Sequence, residues 1–232
     1  MTKKCNPNSQ KSTGKLYNSF ALSRIRAGKS LPEVKKLDDK AFDGHQKISI
    51  NELRAIADQG GLYGIFRNNQ LVAEAQLLLE YTDFYNLEFE KSAYCYGIAV
   101  DKAFRGNGLA KWLIHNMEEL AKKCGKETIY LASRPENYAS LKLWYNSEYA
   151  VCAYKDRYFG PDSKTDSRLL LCKSLTNTST RLEKHVDRLM LKDKTFDPDL
   201  RSALIELLSK YETIKIEIDS INSPVIYKVY GD

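Results

Sequence analysis

The stretch that decides the fold is VDKAFRGNGLAKWLI, Val100 to Ile114, in which Arg-Gly-Asn-Gly separates a strand-like run from a helix-like run. Two glycines within three residues are costly in backbone entropy, so the loop needs an unusual backbone path or a close approach to another group. The first backbone N–H groups of the following helix are unpaired and lie at the positive end of its dipole. Arg105 adds a positive charge. The stretch predicts an anion-binding loop, with a phosphate or pyrophosphate as its ligand.

Local signals predict the elements around this loop. Ser49 and Glu52 form a capping box that opens a helix to about Asp58, and Asn68-Asn69 predicts a hairpin turn. The other expected elements are, in order, a strand over Ser92–Val100, a helix over Leu109–Cys124, a strand over Thr128–Arg134, a helix from Asn137 to about Ser147, and strands near Ala150–Phe159 and Arg168–Ser174. This alternation predicts an α/β fold with the glycine loop at a strand's carboxyl end, where such sheets bind ligands.

Composition indicates a globular protein that does not enter membranes. The chain has 232 residues, of which 43% are hydrophobic and 28% charged. No run approaches the roughly 20 apolar residues of a membrane span. The five cysteines share no metal-ligand spacing, which favours thiols in a reducing compartment and no metal site. We therefore expect a cytoplasmic protein.

Positive charge is concentrated at the N-terminus. Residues 1–40 contain ten Lys or Arg and three acids, whereas the remaining residues contain 26 and 27. We expect residues 1–44 to form a basic segment that is partly disordered or contributes the first strand. An arm that binds nucleic acid, or an organellar presequence, is the alternative interpretation.

The last part of the chain, 176–232, predicts a small α+β appendage. Arg181–Met190 has the spacing of a helix, and Asp197-Pro198 opens a second helix to about Tyr211. Glu212–Ser220 alternates strictly and can pair with Val225–Tyr230 as a hairpin. This helix-helix-hairpin appendage could cover an acceptor cleft, form a homodimer or bind a partner.

The glycine loop also resembles a family motif. Arg105 to Ala110 is similar to the Arg/Gln-x-x-Gly-x-Gly/Ala signature of the GCN5-related N-acetyltransferase (GNAT) superfamily, and the preceding strand ends in Gly97–Val100 as that family's central strand does. Asn137, at the start of the helix after the next strand, matches a second landmark. The resemblance covers about 45–175. It implies a GNAT domain with a mixed, mostly antiparallel central sheet flanked by helices.

The resemblance implies acetyl-CoA as co-substrate and assigns residues to it. The backbone of the central strand would pair with the pantetheine arm like an added strand, and Asn137 would hydrogen-bond that arm. The cofactor-binding residues that this implies are Ile98, Ala99 and Val100 for pantetheine, and Arg105, Gly106, Asn107, Gly108, Leu109 and Ala110 for the pyrophosphate.

The catalytic residues depart from the family pattern. Counted without gaps from Asn137, the family's tyrosine, which protonates the leaving thiolate, falls on Trp144, and Tyr145 comes one residue later. Tryptophan has no phenolic proton to give, so Tyr145 is the predicted acid, with another donor or water as the alternative. Glu90 is the predicted base that takes the amine's proton, and Glu88 and Glu80 are its rivals.

These residues predict an N-acetyltransferase that moves an acetyl group from acetyl-CoA to a primary amine by direct attack in a ternary complex. Its acceptor would be a small-molecule or protein amine. Two alternatives stay open. The Trp144 substitution favours a catalytically weak acyl-CoA-binding regulatory module, and the basic N-terminal residues favour an acetyltransferase with an RNA-borne acceptor.

Overall fold

The computed structural model describes residues 19–28, 30–42, 47–80, 91–155, 167–176, 184–191, 198–210, 214–220 and 225–231. The chain divides into two compact units, Met1–Ile129 and Tyr130–Asp232. Each unit combines a sheet with helices, which confirms the α/β class. No helix within the described ranges is long and apolar enough to cross a membrane.

The first unit contains an antiparallel sheet with the strand order β1-β2-β3-β4. Its strands are β1 (Ala21–Arg24), β2 (Leu62–Arg67), β3 (Gln70–Leu78) and β4 (Ser92–Val100), and its helices are α1 (Leu31–Ala41), α2 (Ile50–Gln59) and α3 (Leu109–Lys123). Buried apolar side chains of α1 and α2 pack with Leu62, Leu71 and Ala99 in one core. This core places α1 and α2 against the sheet that carries the glycine loop.

Two local predictions in this unit are confirmed at atomic detail. Ser49 Oγ accepts a hydrogen bond from the Glu52 backbone N–H at 3.2 Å, and Glu52 Oε2 accepts one from the Ser49 N–H at 2.7 Å, completing the capping box. Asn68 and Asn69 have φ of 49° and 62°, as a type I′ hairpin turn requires. In both cases the signal lies within a few residues of the structure it specifies.

The pairing of β3 with β4 contains a bulge. Gln76 lies opposite Gly97, but Leu77 lies opposite Cys95, so Tyr96 is an extra residue on β4. A bulge bends its strand and is often found beside active sites. It lies two residues before the segment Ile98–Val100 that the family resemblance assigns to pantetheine.

The second unit has the strand order β5-β7-β6-β9-β10-β8. Its elements are β5 (Thr128–Ser133, whose first two residues precede the boundary), α4 (Tyr138–Tyr145), β6 (Ala150–Lys155), β7 (Arg168–Ser174), β8 (Lys184–Leu191), α5 (Pro198–Lys210), β9 (Ile214–Ser220) and β10 (Val225–Gly231). β9 pairs with β10 as the sequence predicts, and it also pairs with β6 at Val151. The C-terminal strands therefore continue the β7-β6 ladder.

Two expectations are wrong. The predicted helix over Arg181–Met190 is instead strand β8, paired with β10. The spacing of its apolar residues fits a helix, but a partner strand some 40 residues later in the chain decides the structure. Cysteine usage also differs: Cys95, Cys152 and Cys172 carry thiols, whereas Cys124 is disulfide-bonded.

Candidate active site

The loop between β4 and α3 has the left-handed backbone that its glycines allow. Gly106 has φ of 81°, and Gly108, the N-cap of α3, has φ of 73°. A Cβ on Gly106 would meet no atom within 4 Å, so the space above this residue is open. Glycine therefore provides both the turn and an unobstructed backbone surface for a ligand.

The loop presents a row of backbone donors. Among the described residues, no acceptor lies within hydrogen-bond reach of the backbone N–H groups from Gly106 to Lys111. The first intrahelical bond of α3 runs from the Trp112 N–H to the Gly108 carbonyl at 3.1 Å. Donors of this kind at the positive end of a helix dipole are suited to an anion with several oxygens.

Other hydrogen bonds fix the loop on the end of β4. Arg105 Nε donates to the Val100 carbonyl at 3.1 Å, and Asn107 Nδ2 donates to the Phe104 carbonyl at 3.0 Å. Asp101 Oδ1 accepts from the Ala103 N–H at 3.0 Å. The loop is thus held in shape by its own side chains, which lowers the entropy that a bound anion would have to remove.

An aromatic stack supports the loop from the sheet side. The Arg67 guanidinium carbon lies 5.6 Å from the ring centroids of both Phe20 and Phe104, and those two rings meet edge to face at 6.3 Å. Cation–π contacts of this kind stabilise the arrangement of the three side chains. The stack, called here the Arg67 stack, ties the residue before Arg105 to the β2–β3 hairpin and to the chain that leads into β1.

A cavity of about 330 Å³ lies between the end of α1 and the end of β4. Its lining combines cations, one acid and apolar groups: Lys40, Lys102 and Arg105, then Asp101, then Leu37, Ala41 and Val100. The positive charge agrees with an anionic ligand on this side of the unit.

Behind β4 lies a buried polar cluster of three side chains: Asp38, Glu74 and Gln76, of which at most 1% is exposed. Gln76 Nε2 donates to Asp38 Oδ1 at 3.1 Å and to Glu74 Oε2 and Oε1 at 3.1 and 3.2 Å. Asp38 Oδ2 accepts from the Ile48 N–H at 3.3 Å. Burial is the main cause that raises the pKa of Asp38, and burial and then the nearby Asp38 charge raise that of Glu74 well above its ordinary value.

In the second unit, α4 carries the remaining predicted residues. Asn137 is its N-cap: Oδ1 accepts from the Ser140 N–H at 3.2 Å, while its Nδ2 donates to no described residue. Trp144 is buried, and its indole Nε1 donates to Ser140 Oγ at 3.1 Å. Its ring packs edge to face on Tyr149 at 4.8 Å. Trp144 is thus a packing residue, and half-buried Tyr145 is the next residue along the helix.

The fold joins the loop and the end of β4, but it does not locate every predicted site residue. Ile98 to Ala110 lie together in the first unit, whereas Asn137 and Tyr145 share α4 in the second. Glu90 and Glu88 lie outside the described residues. Glu80 is exposed, and its backbone carbonyl accepts a hydrogen bond from Gln59 Nε2 at 3.0 Å.

Sequence reasoning missed α1 and the buried cluster. Pro32 in the first turn of α1 and Glu33 at its positive end are signals that could have identified the helix. Glu74 and Gln76 alternate with apolar residues along β3. That pattern is typical of a solvated strand face, so these two side chains could not be predicted to be buried before α1 was known to cover them.

Comparison with known proteins supports one family. The model of the acetyltransferase (GNAT) family matches residues 31–146, half of the chain. The search of curated proteins finds no match. Among solved structures, the fold is similar to three acetyltransferase structures.

The first is the ribosomal-protein-S18-alanine N-acetyltransferase from Escherichia coli, with 16% identity, TM-score 0.54, and 70% of this chain and 97% of that chain covered. The second is a chain of the NatC complex bound to Gag peptide and CoA, with 19% identity, TM-score 0.58, and 68% of this chain and 99% of that chain covered. The third is Naa50 from Arabidopsis thaliana in complex with the bisubstrate analogue CoA-Ac-MVNAL, with 17% identity, TM-score 0.56, and 67% of this chain and 99% of that chain covered. The matched region includes β4, the glycine loop, α3 and α4, and on this evidence the chain belongs to the GNAT acetyltransferase family.

Proposed function

We propose that this protein is an N-acetyltransferase that transfers an acetyl group from acetyl-CoA to a primary amine within a ternary complex. The observation that carries the proposal is the row of N–H groups from Gly106 to Lys111, which have no acceptor among the described residues and lie at the end of β4 beside three cations. Such a row suits the pyrophosphate of CoA. Family membership and the relatives solved with CoA or a CoA conjugate support this assignment.

The residues of the chain have separate roles in this proposal. Arg105 and the backbone from Gly106 to Ala110 bind the pyrophosphate, and the backbone of Ile98–Val100 pairs with pantetheine. Asn137 is suited to donate a hydrogen bond to a carbonyl of the same arm, because its Nδ2 donates to no described residue. The bulge at Tyr96 bends β4 just before this segment.

The chemistry needs one base, one oxyanion donor and one acid. The amine loses a proton and its nitrogen attacks the thioester carbonyl; the carbon–sulfur bond then breaks, and the thiolate takes a proton. A backbone N–H of Ile98–Val100 stabilises the charge on the carbonyl oxygen. We assign the acid to Tyr145 because Trp144 is buried with its N–H engaged. Glu90 remains the predicted base.

The acceptor class is proposed from the relatives. Two of the similar structures contain peptides or peptide conjugates, the Gag peptide and the CoA-Ac-MVNAL analogue. We therefore place peptides with unblocked N-termini first in a panel of amines, followed by lysine side chains and small primary amines. The readout is thiol release from acetyl-CoA, and calorimetric binding of acetyl-CoA is measured beside it. A folded protein that fails to bind acetyl-CoA would refute the proposal.

A second candidate is an acyl-CoA-binding regulatory module. The observation that favours it is the burial of Trp144 at the position of the family's acid. The two candidates differ in whether the wild-type protein releases thiol, and in an enzyme that release depends on Tyr145. In an enzyme with Tyr145 as acid, thiol release falls by about 10²–10⁴-fold while acetyl-CoA affinity stays constant. In a binding module, wild-type protein binds acetyl-CoA but releases no thiol with any amine of the panel.

A further inference from the structure

The cluster of Asp38, Gln76 and Glu74 is an unusual concentration of polar groups in the core of a small unit. Two carboxyl groups and an amide are buried without a cation in contact among the described residues, an arrangement that opposes folding unless the groups satisfy one another. Lys35, whose charge acts on Asp38, pairs with Asp39. A cluster with this much unfavourable desolvation calls for a reason in the adjoining structure.

The adjoining structure is the bulged part of β4. Gln76 lies opposite Gly97, and Glu74 lies opposite Ala99, in the register of the two strands. Gln76 Oε1 has no hydrogen-bond partner among the described residues, and it lies 3.4 Å from the point where a Cβ on residue 97 would stand. The Gln76 side chain therefore packs directly on the backbone of β4, one residue after the bulge.

We propose that Gln76 is a positioning residue for acetyl transfer: by joining the carboxyl groups of Asp38 and Glu74, it holds α1 to β3 and fixes the backbone from Gly97 to Val100, against which the thioester would lie. The inference rests on the proposed function, since it concerns the strand assigned to pantetheine. It is independent of the loop that would hold the pyrophosphate.

Burial and then the charges around the cluster favour the retention of a proton by its two carboxyl groups. Asp38 faces Glu74 across the Gln76 amide, with Lys35 and Asp39 on its own helix. Burial and then the negative charge of Glu74 raise the pKa of the Cys95 thiol on β4. Burial and then the charges of Glu52 and Asp38 raise the pKa of Tyr96. The surrounding groups are thus mostly acidic. If both carboxyl groups of the cluster ionise, they repel each other across the amide and Gln76 loses its fixed position.

The test compares three variants of the full chain with wild type: Gln76→Met, Glu74→Gln and, as a matched control, Glu118→Gln, a buried acid on α3 of the same unit. Gln76→Met retains the volume but loses both donors. We expect its kcat for thiol release to fall about 10–100-fold, because displacement of the reacting groups by about 1 Å has an effect of this size. Its KM for acetyl-CoA should change less than its kcat, because the pyrophosphate loop is untouched and only the pairing of β4 with pantetheine is disturbed.

The Glu74→Gln variant provides the measurement that a purely structural role would not affect. The ratio of wild-type to Glu74→Gln rates, followed from acidic to alkaline pH, cancels the titration of the amine acceptor itself. We expect this ratio to fall as the pH rises, because the amide that replaces the Glu74 carboxyl group cannot ionise. The ratio of wild-type to Glu118→Gln rates should stay constant.

A ratio of wild-type to Glu74→Gln rates that is constant with pH overturns the inference, as does a folded Gln76→Met protein with wild-type kcat. If Gln76→Met does not fold, the pH series of Glu74→Gln decides. Failure of the proposed function has a different signature: wild-type protein neither binds acetyl-CoA nor releases thiol. Active wild-type protein with variants that match it refutes the positioning role alone.

Discussion

The two polar regions that flank the end of β4 differ in where their hydrogen bonds go. In the loop, the donors from Gly106 to Lys111 have no acceptor among the described residues, and the space above Gly106 is open. In the buried cluster, the Gln76 amide donates to both Asp38 and Glu74 within the core. The first region is available to a ligand, whereas the polar groups of the second bond to one another and are closed to solvent.

The largest expected effect tests the loop. Gly108→Asp places a carboxylate where the pyrophosphate would bind, and like charges in such contact cost several kcal/mol, so acetyl-CoA affinity should fall about a hundredfold or more. Calorimetric titration with acetyl-CoA measures the loss. Gly108→Asn is the matched control, because asparagine has the same size, carries no charge and tolerates the left-handed φ. Equal acetyl-CoA affinities for Gly108→Asp and Gly108→Asn would refute the assignment of the pyrophosphate to this loop.

The next effect tests the cluster. Gln76→Met leaves two buried carboxyl groups without their shared donor, so the free energy of unfolding should fall by about 2 kcal/mol or more. Urea unfolding monitored by circular dichroism measures the change. Gly108→Asn should lie within about 1 kcal/mol of wild type in the same assay, since asparagine tolerates the left-handed φ of this residue. If Gln76→Met and Gly108→Asn lowered the free energy of unfolding by comparable amounts, the cluster and the loop would not differ in their contribution to stability.

A third prediction concerns how stability depends on pH. Because the pKa of Glu74 is raised in the folded protein, its contribution is fully present below its unfolded pKa and is lost as the pH rises through the folded one. Between the unfolded and the folded pKa, one such proton makes the free energy of unfolding fall by about 1.4 kcal/mol for each unit of pH. Glu74→Gln should remove that part of the slope, and the part due to Asp38 should remain. Urea unfolding of both proteins at several pH values tests this; coincident curves would contradict it.

The smallest effect tests the support of the loop. Arg67→Gln removes the cation from the Arg67 stack, which should weaken acetyl-CoA binding by about 0.5–1 kcal/mol through a looser loop. Arg54→Gln is the control, since Arg54 is an exposed arginine of the same unit that is not part of the stack. An identical affinity for both variants would show that the loop does not depend on the stack.

How far the sequence predicts this structure depends on the distance over which a signal acts. The capping box at Ser49, the turn at Asn68-Asn69 and the bounds of β4 are set by neighbouring residues, and all three predictions are confirmed. The local spacing in β8 predicts a helix, but the strand that pairs with β8 comes some 40 residues later. Tertiary pairing overrides local preference in such segments.

The candidate site divides in the same way. The glycine loop has a local motif, so its position and left-handed backbone follow from the residues themselves. Asp38 and Gln76 are 38 residues apart and meet because α1 packs on β3. No property of either residue in the sequence indicates the contact. The cluster could be found once the packing of α1 was known.

The Arg67 stack also fixes Phe20 beside the glycine loop. The ring of Phe20 meets the ring of Phe104, the residue immediately before Arg105, edge to face at 6.3 Å. That geometry makes the stack a tether point. Any group attached to the chain close to Phe20 is therefore kept near the loop at a raised effective concentration, set by the length of chain that joins it to Phe20.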